Sequence, residues 1–455
     1  MGHTEKLAHF CADLSMETLP AEVIHKAKLC VLDYIANIYG SLELEAVAQV
    51  IAYVKAIEDK GNITALGCGF KTSLDMAAFL NGTTAEAIEA QDGVRFGGNH
   101  PGAAVIPAAL AAAEKKGLSG RQLIEAIVAG YEAANRPAAA MHPWHTLSGF
   151  LPTGTCGTFG AAAAVAKLYG FDKTQMLNAI ANAGYLLPIS MAEHLMGGFT
   201  IKIVQGGQAA SAGIKAAELA GAGLTGAPFT LEGSALNGGF IQITTGADPK
   251  PELISENLGA AFSIMDVYFK PYTACRHTHG AAQAVLELSA ASAINIEDIE
   301  RVDVHTYGIA ELAVGKGIST SDTFVSAQFS IPYVVAVCLM DNALGPKQLT
   351  EKRMADPQLI ELSKKVFITT DEIINQQYPA KTSSRIEIKL KNREMLKRQV
   401  DIPKGDPRDP MEAGDVSLKL KQFAGDRDQA RLERVIEMVL DLENLDDVQA
   451  LIDII

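Results

Sequence analysis

Cationic side chains are concentrated in the segment from Lys270 to His279. Four potential cations lie there close together in sequence, and no carboxylate lies among them. Such charges repel one another unless an anion or solvent lies between them. The segment is therefore either an exposed basic turn or one wall of an anion-binding site. Its candidate side chains are Lys270, Tyr272, Cys275, Arg276, His277 and His279.

Three other segments favour the anion-binding interpretation, because each places isolated polar side chains in Gly-rich, apolar sequence. The first, at 89–100, carries Asp92, Arg95 and His100, and His100 directly precedes Pro101-Gly102 at the start of a predicted helix. Backbone N–H groups and the helix dipole favour an anion at such a position. A capping turn with a surface arginine explains the same residues equally well.

The other two segments surround one lysine and one threonine. Lys202 is the single lysine of 197–210. It either extends to solvent or faces an anion in a cleft, and the cleft is favoured. The segment 149–160 opens an Ala-rich helix and contains Thr153, whose hydroxyl could bind a carboxylate together with free backbone N–H groups. A tightly packed helix start is an equally good interpretation of 149–160.

Two histidine pairs have spacings that metal ligands adopt. His142 and His145 flank a proline that disfavours a helix, and no cysteine or third histidine lies nearby in sequence. His277 and His279 would share one face of a strand. A surface loop or a hydrogen-bonded histidine explains both pairs better, so no metal site is predicted. The chain also lacks G-x-G-x-x-G, phosphate-loop and G-x-S-x-G patterns.

The composition predicts a large, mainly helical protein. At 455 residues the chain is too long for one ordinary core, so two domains are expected. Hydrophobic residues make up 48% and aromatic residues only 6%, and the many alanines allow close helix packing. A net charge of −14 argues against nucleic acid or an anionic membrane as a partner.

The chain carries no sign of a membrane span or of secretion. Its apolar runs are interrupted before they reach about 20 residues, and its first ten residues are polar, so neither a spanning helix nor a signal peptide is expected. The 6 cysteines are scattered and form no C-x-x-C pair. They fit reduced thiols, and a cytoplasmic protein is expected.

Hydrophobic periodicity divides the chain into two parts. The predicted helices of the first part are at 20–39, 43–59, 73–90, 101–116, 119–135, 155–169, 173–184 and 203–221. Strands are predicted at 300–307, 365–369, 384–390 and 395–402, with helices at 279–294 and 325–341 among them. The predicted fold class is therefore mainly α. An all-helical domain is expected at 1–265 together with 404–455, and a smaller α+β domain is expected at 266–403.

In their order along the chain, these segments resemble the MmgE/PrpD family. The family's A-H-A-x-D-[FY]-D-D loop and its following H-P correspond to 85–92 and His100-Pro101. Its G-[WF]-H-P-T helix start corresponds to 149–153, and its lone lysine before G-x-A-A corresponds to Lys202. Its K-x-Y-P-x-C-x-x-x-H element corresponds to 270–279. Further matches lie at 225–240, 327–333 and 406–411.

The resemblance implies a large helical domain and a smaller α+β lid with the active site between them, a homodimer, and no cofactor. Its members include 2-methylcitrate dehydratases, cis-aconitate decarboxylases and iminodisuccinate epimerases. The site positions that it implies are Asp92, His100, Lys202, Lys270, Cys275, His279 and Tyr333.

This chain departs from the family pattern at positions that matter for chemistry. Glu89 and Gln91 stand where the family carries aspartates, and Gly93 stands for a threonine or serine. Leu151 replaces the histidine of the helix start. The substrate therefore cannot be carried over from the resemblance alone.

A proton-transfer role of the missing histidine would have to pass to another imidazole. His142 and His145 lie a few residues upstream and are the available candidates. Arg276 and His277 add positive charge that family members often lack.

The resemblance implies a lyase that acts on a small polycarboxylic acid, first of all a 2-methylcitrate dehydratase-like hydro-lyase. A cis-aconitate-type decarboxylase or iminodisuccinate-type epimerase is the alternative, and a non-catalytic polycarboxylate-binding relative is a third. Fixed cations would stabilise the carbanion-like transition state that these reactions share. The expected catalytic residues are Asp92, His100, Lys202, Lys270, His279 and Tyr333. The expected substrate-binding residues are Arg95, Thr153, Tyr272, Cys275, Arg276 and His277.

Overall fold

The computed structural model describes residues 1–57, 60–246 and 249–455. The helices of the first half are α1 His3–Asp13, α2 Ala21–Ser41, α3 Glu45–Ala56, α4 Leu74–Ala87, α5 Gly102–Lys116, α6 Gly120–Met141, α7 Trp144–Leu147, α8 Pro152–Leu168, α9 Lys173–Leu186, α10 Ala192–Met196, α11 Gln205–Gly221 and α12 Phe240–Thr245. The later helices are α13 His279–Ala291, α14 Gly308–Val314, α15 Phe324–Gln328, α16 Ile331–Asp341, α17 Glu351–Met354, α18 Pro357–Ser363, α19 Glu372–Gln377, α20 Ala413–Ala424, α21 Gln429–Leu440 and α22 Gln449–Ile452. The strands are β1 Ile63–Ala65, β2 Phe70–Thr72, β3 Gly93–Val94, β4 Val267–Tyr268, β5 Ile299–Thr306, β6 Val366–Thr370, β7 Ser384–Leu390 and β8 Met395–Val400.

The prediction of a mainly helical protein is confirmed, and the helices pack through small residues. α8 lies against α5, α6, α9 and α11. A Cβ atom added to Gly160 of α8 would lie 2.6 Å from the carbonyl oxygen of Gly130 in α6, so the two backbones touch. A Cβ atom on Gly213 of α11 would lie 2.4 Å from the Cβ of Ala161. Glycine and alanine therefore set the short distances between these helices.

The helix ends follow the signals in the sequence. Ser119 and Asp172 each accept a hydrogen bond from a backbone N–H in the first turn of α6 and α9, as N-caps do. Gly117 ends α5 in the left-handed conformation. The helix predicted at 43–59 is present as α3, and its last two predicted positions, 58 and 59, lie outside the described residues.

The four predicted strands form one mixed sheet in the order β6-β5-β7-β8. β5 is parallel to β6 and antiparallel to β7, which is antiparallel to β8. Val302, Val304, Ile386 and Ile388 are fully buried, and they alternate with more exposed residues along β5 and β7. α13 and α16 pack against this sheet. The alternation that predicted the strands therefore reflects one face covered by helices.

Two short ladders were not predicted from the sequence. β1 pairs with β2 in a small hairpin, and β3 pairs with β4 across a long interval of chain. In the second ladder, Gly93 lies opposite Tyr268 and Val94 lies opposite Val267. Two-residue strands carry no periodicity, so the sequence gives no signal for them. The β3–β4 ladder matters for function because it brings two of the candidate segments together.

The last helices return to the first part of the chain, as predicted. α20 and α21 pack against α2, and the ammonium of Lys419 in α20 lies 2.6 Å from the carboxylate of Asp33 in α2. One buried apolar core includes residues of α1, α2, α5, α6, α8 and α20–α22, and another includes residues of the mixed sheet, α13 and α16. We propose the domain division 1–265 with 404–455, and 266–403, and these two cores support it.

The described chain has two further general properties. All six cysteines are free thiols. Within the described ranges, none of the helices combines the length and the apolar character that crossing a membrane requires.

Candidate active site

Glu89 bridges two lysines that come from distant parts of the chain. Its Oε2 lies 2.5 Å from Nζ of Lys202, and its Oε1 lies 2.7 Å from Nζ of Lys270. The backbone of Glu89 has φ +55°, in the left-handed region, directly after the end of α4. That conformation costs a non-glycine residue about 1–2 kcal/mol, so the surrounding contacts must hold it. We call Glu86, Glu89, Lys202 and Lys270 the Glu–Lys cluster.

A second carboxylate completes the cluster on the side of Lys202. Oε1 of Glu86 lies 2.9 Å from Nζ of Lys202 and accepts a 2.8 Å hydrogen bond from the side-chain amide of Gln205. Glu86 lies in the last turn of α4, while Lys202 lies in a short 3-10 turn that leads into α11. A Cβ atom on Gly207 would lie 2.0 Å from the carbonyl oxygen of Phe79, so α11 approaches α4 at backbone distance. This close approach brings Lys202 to Glu86.

Lys270 reaches the cluster through the β3–β4 ladder. β4 ends two residues before Lys270, and β3 begins four residues after Glu89. The antiparallel register therefore holds the two segments side by side. Nζ of Lys270 donates to the carbonyl oxygen of Glu89 at 3.1 Å as well as to its carboxylate. The side chain of Lys270 is completely buried.

Glu89 and Lys202 are both charged in the cluster. Burial alone would raise the pKa of Glu89, but Lys202 and Lys270 outweigh it and hold that pKa well below its usual range. Burial alone would lower the pKa of Lys202, but Glu86 and Glu89 outweigh it and raise that pKa above its usual value. Neither residue is more than 5% exposed. Each charge in this buried region therefore depends on its partner.

His100 lies beside the cluster as a neutral imidazole. Burial, and after it the positive charge of Lys270, lower the pKa of His100 to about 3. Its Nδ1–H donates to the carbonyl oxygen of Asp92 at 2.6 Å, which leaves the lone pair on Nε2. The backbone N–H of His100 donates to Oγ1 of Thr153 at 3.0 Å. The ring is thus oriented by the loop on one side and by the start of α8 on the other.

The carboxyl group of Asp92 supports the loop. Its two oxygens accept hydrogen bonds from the hydroxyl of Tyr131 at 2.5 Å and from the N–H of Gly102 at 3.0 Å. A Cβ atom on Gly102 would lie 2.9 Å from both Oδ1 of Asp92 and the Tyr131 hydroxyl, so only glycine fits there. Burial raises the pKa of Asp92 to about 7. This carboxyl group therefore titrates near neutral pH.

The basic segment borders the cluster with several half-buried side chains. The guanidinium of Arg276 donates to the carbonyl oxygens of Pro403 and Lys404 at 2.6 and 2.8 Å and lies over the ring of Tyr268. Nδ1 of His277 lies 2.6 Å from the hydroxyl of Tyr307. The segment 270–279 contains no carboxylate to pair with its cationic side chains. Their partners are backbone, hydroxyl and carboxylate groups of the chain itself.

His279 and Cys275 take up inward positions in the same segment. His279 donates from Nε2 to the carbonyl oxygen of Ala274 at 3.0 Å, and its Nδ1 lies 3.4 Å from Nη1 of Arg276. Burial and then Arg276 lower the pKa of His279 well below its usual value. Burial, and after it Glu89, raise the pKa of Cys275 to about 11, so it is a thiol at neutral pH. The ring of Tyr272 lies 5.2 Å from that of His279.

The structure does not bring every predicted site residue to the cluster. Nη1 of Arg95 donates to the carbonyl oxygens of Pro379 and Ala380, and Arg95 lines a separate cleft of about 400 Å³. The hydroxyl of Tyr333 donates to the carbonyl oxygen of Gln348. Burial raises the pKa of Tyr333, and the charged groups that act on it are Arg353 and Asp341 rather than the lysines of the cluster. Arg95 and Tyr333 therefore lie apart from the candidate site.

Several site residues were not predicted from the sequence. The partners of the lysines, Glu86 and Glu89, could have been identified only from their places in the family loop. Tyr131 and Gln205 lie inside ordinary helical periodicity and give no signal. Nζ of Lys419 donates to the carbonyl oxygen of Ala90 at 2.6 Å, one residue from the Glu89 turn, although it lies far away in sequence.

The two histidine pairs do not form metal sites among the described residues. Nε2 of His145 lies 2.8 Å from Oγ1 of Thr155, and its Nδ1 lies 3.3 Å from the carbonyl oxygen of Thr244. His277 and His279 make the separate hydrogen bonds given above. In ranges 1–57, 60–246 and 249–455, no group of three or more His, Cys, Asp or Glu side chains has the arrangement of a metal site.

Replacing Glu89 by glutamine tests the cluster. Glu89→Gln leaves Lys202 and Lys270 buried without a shared counter-charge, so it should lower the free energy of unfolding by about 3–5 kcal/mol. The control is Glu218→Gln, which breaks an exposed pair with Lys115 and should cost less than about 1 kcal/mol. Urea unfolding followed by circular dichroism measures both. Equal effects of the two variants would contradict the proposed role of Glu89.

Replacing Asp92 by asparagine tests its raised pKa. The pKa of Asp92 is about 7 in the folded state and about 3.9 in an unfolded chain. Protonation therefore stabilises the fold fully below the unfolded pKa, and this contribution is lost as pH rises through the folded pKa. Asp92→Asn lacks this dependence. Relative to the variant, the wild type should lose about 2–3 kcal/mol between pH 5 and pH 8 in urea unfolding. Parallel pH profiles would contradict the assignment.

Comparison with known proteins gives matches along nearly the whole chain. Residues 5–252 match the MmgE/PrpD N-terminal domain, and residues 272–444 match the MmgE/PrpD C-terminal domain. The cis-aconitate decarboxylase of Aspergillus terreus is 26% identical over 481 aligned positions, covering 100% of this chain and 96% of the relative. The cis-aconitate decarboxylase of Homo sapiens is 26% identical over 467 positions, covering 98% and 93%. Because the two family domains together cover most of the chain, the protein belongs to the MmgE/PrpD family.

Proposed function

We propose that this protein is a cofactor-independent lyase that acts on a small polycarboxylic acid, and that it decarboxylates an unsaturated acid of the cis-aconitate class. The full-length similarity to proteins named cis-aconitate decarboxylase supports this proposal. It favours the decarboxylase alternative over the 2-methylcitrate dehydratase that the sequence placed first. The epimerase and the non-catalytic binding protein have no comparable support.

The observation that carries the proposal is the arrangement of Lys202 and Lys270 on the two oxygens of Glu89. An ammonium group has three N–H donors. Lys202 directs two of them to Glu86 and Glu89, and Lys270 directs two to the carboxylate and carbonyl of Glu89. Each lysine therefore retains one donor for the carboxylates of a substrate. Because the ammonium groups are already fixed, they need little reorganisation when charge develops.

Decarboxylation is a reaction that such fixed donors accelerate. The bond between carbon and the departing carboxylate breaks, and its electron pair passes to the remaining unsaturated acid. Negative charge then grows on the carboxylates that stay behind, where the free N–H groups of Lys202 and Lys270 would bind them. A proton must next reach carbon. His100, whose pKa responds to the charges of Lys270 and Lys202, is the proton-transfer group in this proposal.

The charge of the substrate would also change His100 itself. In the free protein the positive charge of Lys270 contributes to the low pKa of His100. A bound polycarboxylate places negative charge beside the ring and raises that pKa, which favours the imidazolium needed to protonate carbon. Nζ of Lys202 lies 5.8 Å from the centroid of the Phe329 ring. Lys202 and Lys270 are almost completely buried, whereas His100, Cys275 and Phe329 are half-buried. In this proposal substrate enters past these half-buried side chains.

Substrate turnover tests the proposed reaction. The protein should release CO₂ from cis-aconitate, measured by ¹³C NMR of the labelled acid, and 2-methylcitrate and citrate should keep their hydroxyl groups. His100→Gln should lower kcat by about 10²-fold or more, because a proton-transfer group is lost. His25→Gln, which changes an exposed histidine of α2, is the control and should keep the wild-type rate. Water loss from 2-methylcitrate without CO₂ release would favour the dehydratase, and binding without turnover would favour the binding protein.

We also propose that the protein is a homodimer through an apolar face near the candidate site. More than half of the exposed large apolar side chains in the described chain lie between Trp144 and Ile243. Tyr185 is 93% exposed and Ile189 is 69% exposed. Their segment is joined to α7 and the start of α8 by a bridge between Phe150 and Met191. A concentration of exposed large apolar side chains in one part of the chain is typical of protein–protein contacts.

One substitution in this face tests the dimer. Ile189→Glu places a charge in the proposed interface, so sedimentation velocity should show a shift from dimer to monomer. Leu312→Glu is the matched control, because Leu312 is 70% exposed and lies on α14, outside the face. It should leave the dimer intact. A wild-type monomer at micromolar concentration, or identical behaviour of the two variants, would contradict the proposed interface.

A further inference from the structure

His142 is a half-buried imidazole without a hydrogen-bond partner near the candidate site. It directly follows α6, and no group in the described chain forms a hydrogen bond with its Nδ1, which is sealed from solvent. A buried nitrogen of this kind is uncommon, because most buried polar atoms in proteins have a partner. The residues that follow it, Pro143 and Trp144, are exposed. His142 therefore lies between the protein interior and the surface.

The sealed nitrogen faces the loop that ends at His100. A Cβ atom on Gly98 would lie 4.0 Å from Nδ1 of His142, 3.7 Å from Oγ1 of Thr146 and 3.9 Å from Cγ of Pro152. Gly98 is two residues before His100 along the loop. Pro152 directly precedes Thr153, whose hydroxyl accepts the N–H of His100. His142 and His100 thus lie against the same loop and the same helix start.

The other imidazoles near the cluster are held by hydrogen bonds. Both nitrogens of His145 have partners, and its ring is stacked on that of Phe150 with 4.9 Å between centroids. Both nitrogens of His279 also have partners, and His277 is bonded to the hydroxyl of Tyr307. Leu151, at the start of α8, has no group that exchanges a proton. Of these residues, only His142 can rotate without breaking a hydrogen bond.

The proposed reaction requires a group that carries a proton into the site. Each decarboxylation consumes one proton, because the electron pair left by CO₂ forms a new C–H bond. The Glu–Lys cluster is sealed from bulk water, so that proton must pass through a group at its edge. Resting on the proposed function, we infer that His142 relays this proton from solvent to the site at His100. The imidazolium of His142 gives up one proton inward and is reprotonated by water, which balances each turnover.

Chemical rescue tests the relay during turnover. His142→Ala should lower kcat for cis-aconitate by about a hundredfold with little change in KM, and added imidazole should restore it. His145→Ala removes the neighbouring, fully bonded imidazole, and imidazole should restore none of the activity that it loses. Unchanged kcat in His142→Ala, or no rescue by imidazole, would overturn the inference.

A measurement without turnover separates this inference from the proposed function. Burial lowers the pKa of His142 in the free protein. In ¹⁵N-histidine-labelled wild type, saturating citrate should raise the pKa of the His142 ring and leave the His145 resonance in place, because the acid adds negative charge next to His142. The signals are assigned with His142→Gln and His145→Gln. If the pKa of the His142 ring does not change when citrate binds, the relay is overturned even in an active enzyme. A response in a protein that turns over none of the acids supports the position of His142 and rejects the lyase.

Discussion

The bridge from Glu89 to Lys202 and Lys270 is the interaction on which the candidate site depends. Side chains from three chain segments that are far apart in sequence meet at the carboxylate of Glu89. Two buried lysines without this carboxylate would repel each other in a region of low dielectric constant. Their mutual approach is therefore possible only because Glu89 lies between them. Placing the carboxylate between the two lysines requires the left-handed backbone conformation of Glu89, which costs free energy locally.

Close packing of small residues makes the bridge geometrically possible. α4 and α11 touch at Gly207 and the carbonyl of Phe79, and this contact sets the distance between Glu86 and Lys202. On the other side, the two residue pairs of the β3–β4 ladder fix Lys270 against the same turn. A side chain at Gly207 or a shift of the ladder would separate charges that are stable only as pairs. Helix packing and electrostatics thus specify the same arrangement.

The sequence predicts the elements of this fold much better than the partners of its charges. Helices and strands carry periodicity, so most of their bounds are correct within a few residues. The sequence also predicted Lys202, Lys270, His100 and Thr153 as residues of one site. In the structure the two lysines share Glu89, and the backbone N–H of His100 donates to Thr153. The cation-rich pattern predicted that these side chains bind an external anion. In the structure the carboxylate of Glu89 pairs with two of them instead. Ion pairing across more than a hundred residues follows from tertiary packing, for which a sequence segment gives no local signal.

The pairing of the lysines has a consequence for the kind of reaction that the site favours. Two ammonium groups and two carboxylates leave the Glu–Lys cluster without excess charge of its own. In the proposed function a substrate carboxylate binds only the N–H donors that Glu86 and Glu89 leave free, so it is bound less tightly than by two unpaired lysines. This moderate binding keeps the ground state of the bound acid from becoming too stable. In the proposed decarboxylation, negative charge spreads to the remaining carboxylates as CO₂ leaves, and their hydrogen bonds from the free N–H donors then strengthen. In that reaction the cluster would bind the delocalised charge of the transition state more tightly than it binds the acid itself.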